Sequence, residues 1–467
     1  MPEFRVVTGA AKCLELQLYA WFRKVLTAVG AGIACAVVFA ATASAAVFSP
    51  KTFTLDNGLQ VVVIENHRAP IVMQMLWYRV GAADEEAGES GLAHFLEHLL
   101  FKGTKTVKPG EFSRTISRIG GRDNAFTSSD FTAYFQRVAA HELETIMRLE
   151  ADRMHNLVLS DDVVLPERDV VLEERRSRTD NSPAAQLREQ MRRALYLNHP
   201  YGRPVIGWMS EIRQLTTENA LAFYRKHYAP NNAMLIIAGD ATVDQVRALA
   251  EKYYGPIAGA KVPERVRPKE PPHRAARRVV LRHERVNLPS WSRTYLTPSY
   301  ATDAKTVAYP LEVLAQVLGG GSTSRLYRKL VVERGIASNA GAWYSGDGLD
   351  YGEFGIYASP NAGGDIAALE KAVLEELDAA FKEGFAPADI DRAKRLISAQ
   401  AIYARDGLRA GPNAIGQAFT QGQTIADVEA WPERISAVTA EQVMAAAKSA
   451  IRVESSVTGI LLPEAAK

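Results

Sequence analysis

Residues 91–104 read Gly91-Leu92-Ala93-His94-Phe95-Leu96-Glu97-His98-Leu99-Leu100-Phe101-Lys102-Gly103-Thr104. Within them His94, Glu97 and His98 are the first, fourth and fifth residues of a pentapeptide. Residues three and four apart on a helix are surface neighbours, so these side chains share one face. Two imidazoles one turn apart can grip one metal ion, with a carboxylate held beside it. Phe95, Leu96, Leu99 and Leu100 would anchor that helix in a core. The pattern is the reverse of the H-E-x-x-H zinc site. Zinc takes neutral His nitrogens and a carboxylate, and leaves a position open for water where the site is catalytic. The rival reading is a pair of structural histidines on a buried helix. With only nine His in 467 residues, the spacing favours the metal.

A chain of this length exceeds one core and points to at least two domains. Its 47% apolar and 23% charged residues are ordinary for a globular protein. The N-terminus reads as an export signal. Arg23 and Lys24 form a basic region, Val25 to Ala41 an apolar one, and Ala43-Ser44-Ala45 an A-x-A cleavage site over residues 1–45. An uncleaved membrane anchor is the alternative, because the apolar stretch is long. Four of the 55 basic and two of the 53 acidic residues fall in that segment, so its removal leaves 51 of each sign. A neutral chain offers no basic footprint for nucleic acid. Both cysteines, Cys13 and Cys35, are lost with the signal. Neither a disulfide framework nor a thiolate zinc site is then available, and a metal must be held by His and carboxylates. An exported, cysteine-free chain with a bacterial-type signal suggests the periplasm, with no membrane attachment after cleavage.

Outward from the motif, Lys51 to Ile64 reads as strand, Asp56-Asn57-Gly58 turn, and strand. Ile71 to Val80 is a further β-rich run, and a loop from Gly81 to Gly91 delivers the chain into the motif helix. Lys108 to Ile119 continues as helix until Gly120-Gly121. Asn124 to Val138 alternates as a hairpin does, and His141 to Asn156 and Pro166 to Arg178 have helical spacing. Residues 262–276 are Pro-rich and charged, as a linker is. They separate an N-terminal domain, 46–261, from a C-terminal one, 277–467. The second repeats the order of the first: two strands (Arg278 to Leu281, Ser292 to Leu296), a helix (Ala304 to Leu318), a hairpin (Ala340 to Tyr357) and a long helix (Gly364 to Gly384). The simplest reading is two homologous α+β domains, with the metal motif only in the first.

Further phrases occur in order along the chain: Asn124-Ala125-Phe126-Thr127, Glu167 to Glu174 (ERDVVLEE), His199-Pro200-Tyr201-Gly202 and Pro230-Asn231-Asn232. With Gly91 to Thr104 they resemble the pitrilysin/insulinase family of zinc metallopeptidases, the inverzincins, and in particular its short branch containing the mitochondrial processing peptidases. The resemblance implies a duplicated α+β domain, each copy a sheet with helices packed on one face. It implies one Zn2+ per chain, held by His94, His98 and a glutamate. Glu173 and Glu174 point about 100° apart on a helix, so only one can face the metal. The family's spacing of 76 residues after the second His selects Glu174. Glu167 matches a supporting carboxylate that orients a ligand. Glu97 matches the general base. Asn124 and Ala125 match an edge strand that binds substrate backbone, although Asn124 also suits a plain turn position. Glu173, Arg175, Arg176 and Arg178 read as a solvated charged face. His67, His141, His155, His227, His273 and His283 read as surface or structural residues, and His199 as fixing a loop.

The implied activity is an exported zinc endopeptidase subunit cleaving peptides or unfolded segments. The alternatives are a non-catalytic core or scaffold subunit of the same fold, or a peptidase dedicated to maturing one small peptide. One departure matters. Where active relatives carry an Arg and, seven residues on, a Tyr that bind the substrate carbonyl, this chain has Val331 and Ser338. The family encloses substrate between two half-molecules. The expected partner is therefore a paralogous chain supplying the Arg and Tyr, with a homodimer as the alternative.

Overall fold

The computed structural model describes residues 47–464. The export signal expected over residues 1–45 and both cysteines lie outside the described residues. Six strands form the first sheet: β1 (Lys51–Thr54), β2 (Gln60–Glu65), β3 (Ile71–Tyr78), β4 (Arg122–Thr127), β5 (Thr132–Ala139) and β6 (Ala233–Gly239). Helices α1 (Leu92–Leu99) and α2 (Glu111–Arg118) lie between β3 and β4 in sequence. Four more, α3 (Leu143–His155), α4 (Asp161–Arg175), α5 (Pro183–Leu195) and α6 (Thr217–His227), separate β5 from β6, and α7 (Val243–Tyr253) follows. The second sheet has β7 (Arg277–His283), β8 (Ser290–Thr297), β9 (Ala337–Ser345), β10 (Gly352–Pro360) and β11 (Ser456–Pro463). Helix α8 (Tyr309–Gly319) precedes β9, and α9 (Ile366–Glu383), α10 (Pro387–Ala404) and α11 (Ala410–Thr420) follow β10.

The strand orders, β1-β2-β6-β3-β5-β4 and β7-β11-β8-β10-β9, expose the duplication. Without β1 they are one topology, with a parallel pair (β2 with β6, β7 with β11) and antiparallel pairs otherwise. The fold is α+β in two copies, as the element order implies. Only β1, paired with β2 through the Asp56-Asn57-Gly58 turn, has no counterpart.

Period-two alternation sends side chains to both faces of the first sheet. Val61, Val63, Leu76, Leu235 and Ile237 meet the helix layer. Val62, Met75, Trp77, Met234 and Ile236 point the other way and are equally buried, because Ile415 and Phe419 of α11 cover them. The second sheet receives the reciprocal gift: Leu187, Met191 and Leu195 of α5 pack on Val457 and Leu461 of β11. Each sheet thus carries its own helices on one face and one helix from the other half on the opposite face. Each crossing has a glycine at its closest approach. A Cβ on Gly416 would lie 2.1 Å from the Trp77 ring, and one on Gly459 would lie 2.0 Å from Met191 Sδ.

The second strand pair expected from sequence is not a ladder, since β7 bonds to the distant β11 rather than to β8. Helix α4 starts before Pro166: the Ser160 carbonyl accepts from the amides of Val163 and Val164, and the proline sits inside the helix. Among the described residues, no helix is long and apolar enough to cross a membrane.

Candidate metal centre

The chain enters α1 through Gly91, whose φ of 91° is left-handed and whose missing side chain leaves room for the Ile206 carbonyl, 2.6 Å from where a Cβ would lie. The first turn of any helix has unpaired amides. Here Glu85 accepts from Ala93 N at 2.8 Å and Gly91 N at 3.1 Å. Leu92, Phe95, Leu96 and Leu99 then lock α1 into the helix-layer core. That leaves His94 and Glu97 on a nearly covered face, 8% and 9% exposed.

Helix α4 packs beside α1. Val164, Val171 and Leu172 are buried, and Glu167 and Glu174 face the histidines. His98 Nε2 lies 3.3 Å and His94 Nε2 3.6 Å from Glu174 Oε2. One ligand atom from each of the three residues lies within 4.8 Å of the others. Two donors about 2.1 Å from a tetrahedral zinc are themselves about 3.4 Å apart, which is close to the distance of Glu174 from each imidazole. The set as a whole, within 4.8 Å, needs only a small contraction to hold that ion. Glu174 Oε2 is buried facing both imidazoles without a well-aligned hydrogen bond to either, as suits an oxygen that shares a cation with them. Two nitrogens and one carboxylate oxygen are the donor set zinc takes in catalytic sites. Glu173 points away, bonded to Arg176 at 2.9 Å and mostly exposed.

The surrounding groups set protonation. Glu167 accepts from His98 Nδ1 at 2.9 Å, which fixes the ring and leaves Nε2 for a ligand. Burial works against charge on His98, but Glu167 and Glu174 outweigh it and raise the imidazole to about 9. His94 goes the opposite way, to about 4, because it is buried and faces His98. Glu167, although buried, is held below the usual carboxylate range by His98 and Lys102. Glu174 is lowered by His98, with His94 and Arg178 adding to the effect. Glu97 is raised by burial, against the hydrogen bond from Thr127 and the charge of His98. The Thr127 hydroxyl donates to Glu97 Oε2 at 2.5 Å, leaving Oε1 free to take a proton.

Thr127 ends β4, the outermost strand of its sheet. Asn124 and Ala125 are on the same strand. Asn124 is exposed, and its Oδ1 accepts from Ala125 N at 2.8 Å. The structure therefore gathers His94, His98, Glu174, Glu167 and Glu97 in one site and puts Asn124 and Ala125 on the adjoining edge. Sequence reasoning gave no role to Thr127, Lys102, Glu85 or Arg178. Arg178 pairs with Glu174 Oε1 at 2.6 Å, and its i,i+4 spacing from Glu174 was the available signal. The expectation of a solvated face fails for Arg175. That residue is 5% exposed and bonds Glu189 and the Gly207 carbonyl, because one side of the charged run packs under residues 189–207.

The second half has the same helix against the same edge. Glu312 and Gln316 of α8 are four apart, as His94 and His98 are, and Ala315 stands at the place of Glu97. Gln400 is the fourteenth residue of α10, as Glu174 is of α4. Glu312, Ala315, Gln316 and Gln400 line one cavity of about 470 Å³.

The sequence matches two family descriptions, "Insulinase (Peptidase family M16)" over residues 60–208 and "Peptidase M16 inactive domain" over residues 214–397. It is 35% identical over 366 residues to the zinc protease PqqE of Helicobacter pylori, covering 77% of this chain and 81% of that protein. The chain belongs to the M16 peptidase family. Among M16 structures, a protease from Helicobacter pylori superposes with a TM-score of 0.83 at 30% identity, covering 89% of this chain and all of the other. The periplasmic protease PqqL of Escherichia coli shares the fold with a TM-score of 0.76 at 21% identity; the match covers 88% of this chain but 47% of PqqL. The M16 relatives are named zinc proteases. The two residues that depart from the family's Arg and Tyr lie together on the second half. Val331 is half-buried against its core, and Ser338 on β9 donates to the carbonyls of Ser359 and Pro360 at 3.3 and 3.0 Å.

Proposed function

We propose that this chain is the zinc-bearing subunit of an exported metalloendopeptidase acting on peptides or unfolded protein segments. One observation carries the reading: the ligand atoms of His94, His98 and Glu174 converge within 4.8 Å of one another, with Glu97 held beside them by Thr127. When bound there, zinc supplies a Lewis acid that polarises a peptide carbonyl and acidifies water. Glu97 Oε1 takes the proton of the attacking water and delivers it to the leaving amine. Burial raises the carboxyl toward the range a general base needs, while Thr127 keeps it ionisable. Glu167 holds the His98 ring in place. The open edge of β4 takes substrate backbone as an added strand at Asn124 and Ala125, after the Asn124 carboxamide swings off the Ala125 amide.

The second half has Val331 and Ser338 in place of the Arg and Tyr, and the Ser338 hydroxyl is spent on the Ser359 and Pro360 carbonyls. Losing one oxyanion donor costs about 10²–10³ in rate. The active form is therefore a heterodimer with a paralogue that supplies the Arg and Tyr. Export to the periplasm rests on the sequence of residues 1–45.

The test is metal content followed by cleavage. The wild-type chain should bind about one zinc by its three ligands, and His94→Ala, His98→Ala and Glu174→Ala should each lose it, whereas Glu173→Ala should keep it. Peptide cleavage should rise when the paralogue is added. Full metal in Glu174→Ala with loss in Glu173→Ala would make Glu173 the third ligand, and a zinc-loaded complex that cleaves nothing would return the chain to a scaffold role.

A further inference from the structure

The segment between the halves looks like a tether in sequence, but Arg267 within it is anchored. Its side chain is 4% exposed and meets three carboxylates. Nη2 bonds Asp84 Oδ1 at 2.7 Å, and Nη1 bonds Asp130 Oδ1 at 2.5 Å and Asp350 Oδ2 at 3.0 Å. Asp84 closes the short turn Ala82–Asp84, and the next residue, Glu85, caps α1. Asp130 lies in the turn between β4 and β5, three residues past Thr127. The two turns touch directly, since Ala82 N donates to Ser128 O at 3.0 Å and Ala83 N to Ser129 O at 2.9 Å. Asp350 belongs to the turn between β9 and β10 of the second half.

The remaining contacts of Asp130 show a built joint. Tyr201 Oη donates to its Oδ2 at 2.5 Å, and Leu349 N donates to the same oxygen at 3.1 Å. Arg265 Nη2 donates to its main-chain carbonyl at 3.0 Å and to Oδ1 at 3.3 Å, with Arg265 Nε a looser 3.5 Å from Asp84 Oδ1, so that Arg265 backs the tighter bridge made by Arg267. Asp84 and Asp130 are 8% and 3% exposed. Buried carboxylates of this kind need a partner that satisfies both at once, and the planar fork of an arginine does so where a lysine ammonium cannot.

We propose that Arg267 is a positioning residue for the reaction. By bridging Asp84 and Asp130 it sets the angle between α1, which carries Glu97, and β4, whose Thr127 aims the Glu97 carboxylate. The inference rests on the peptidase reading above, in which Glu97 moves the proton. It makes the interdomain segment part of the working site: second-half residues reach Glu97 through Arg267 without touching substrate.

The decisive variant is Arg267→Lys, which keeps a buried positive charge and loses the two-armed bridge. Assayed in the peptide-cleaving complex, it should keep one zinc per chain and a KM within about threefold of wild type. Its kcat should fall about tenfold or more, because misplacing a catalytic group by a fraction of an ångström has that cost. The amides of Gly91 and Ala93 should exchange hydrogen about tenfold faster, since the Glu85 cap is no longer braced. Arg278→Lys, at an arginine paired with Glu370 that meets neither Asp84 nor Asp130, should change kcat by less than about threefold. If Arg267→Lys does not fold, Asp84→Asn releases one arm and carries the same expectations. Wild-type kcat in the lysine variant, or a fall in kcat with unchanged exchange at Gly91 and Ala93, overturns the proposal. A wild-type complex that cleaves no peptide sinks the peptidase reading instead, and the exchange measurement still tests the joint.

Discussion

The two halves of this chain place a matching helix against a matching sheet edge, and four matched positions in the cleft between them carry different side chains. The first half offers His94, Glu97, His98 and Glu174; the second offers Glu312, Ala315, Gln316 and Gln400. The backbone therefore supplies a cleft between a helix and an edge strand in both halves, and the chemistry is a matter of what lines it. The support differs as well. Around the first site Glu167, Lys102 and Thr127 orient the ligands and the base. Around the second, Glu312 accepts from Tyr300 Oη and from Trp431 Nε1 at 3.2 Å, and Gln316 Nε2 ties back to the Gly320 carbonyl at 3.0 Å. Those bonds tie the second cleft's polar side chains to their own half, although the cleft stays open as a cavity. One copy gathers two imidazoles and a carboxylate, and the other holds its polar groups in hydrogen bonds of their own.

The sharpest way to break this comparison is at Glu97 and Ala315. Glu97→Gln should keep zinc and fold while peptide hydrolysis falls about 10²–10⁴-fold, the usual scale for a general base. Ala315→Glu, at the matching place, should leave hydrolysis unchanged. Steady-state cleavage with zinc measured on the same samples decides it. Near wild-type turnover in Glu97→Gln would mean that the first cleft works by some other group.

A smaller effect distinguishes the second cleft from the first by pH. Burial, with Asp347 nearby, raises Glu312 to about 7 from 4.5 despite the hydrogen bonds from Tyr300 and Trp431. The native state then keeps a proton that the unfolded chain has released. Stability from this group falls as pH rises from 4.5 to about 7, and stays at the lower level above. At about 1.4 kcal/mol per unit the loss is at most about 3 kcal/mol. Glu312→Gln cannot titrate and can still accept both hydrogen bonds. Its melting temperature relative to wild type should climb between pH 4.5 and 8, by calorimetry in matched buffers, with the whole change centred between the two pKa values. A flat difference across that range would show that the second cleft is wetter than its hydrogen bonds imply.

What sequence could and could not disclose follows the range of the interactions. His94, Glu97 and His98 are legible because helix periodicity alone puts them on one face. The duplication is legible because element order repeats. Glu174 needed the family spacing, since Glu173 fits local geometry equally well. The parallel pairing of β7 with β11 spans the whole second half, and nothing local encodes it. Thr127 and Arg267 were invisible for the same reason: each acts through a partner brought close only by tertiary packing, 30 residues distant for Thr127 and Glu97 and 137 for Arg267 and Asp130. Glu85 caps α1 from only six and eight residues away, but out of a loop whose path the sequence does not give. The reciprocal placing of α5 and α11 was hidden because an amphipathic helix does not declare whose sheet it covers.

That exchange gives the smallest and most discriminating comparison. Gly416 and Gly459 each make room at one crossing, but the neighbours differ in kind. Trp77 is fully buried, its ring framed by Phe126 and Phe131 at centroid distances of 5.3 and 4.9 Å, so it has nowhere to turn. A methyl group on Gly416 must push α11 off the first sheet, and overpacking of a rigid core costs about 1–3 kcal/mol. Met191 is unbranched and adaptable, and it borders a cavity of about 570 Å³ lined also by Leu187, Leu195 and Leu461. A methyl on Gly459 can be met by swinging the thioether into that space, at a cost of less than about 1 kcal/mol. Urea unfolding of Gly416→Ala and Gly459→Ala should rank them in that order. Equal losses would show that the second crossing is as tightly packed as the first, and a reversed order would mean that α11 slides where α5 cannot.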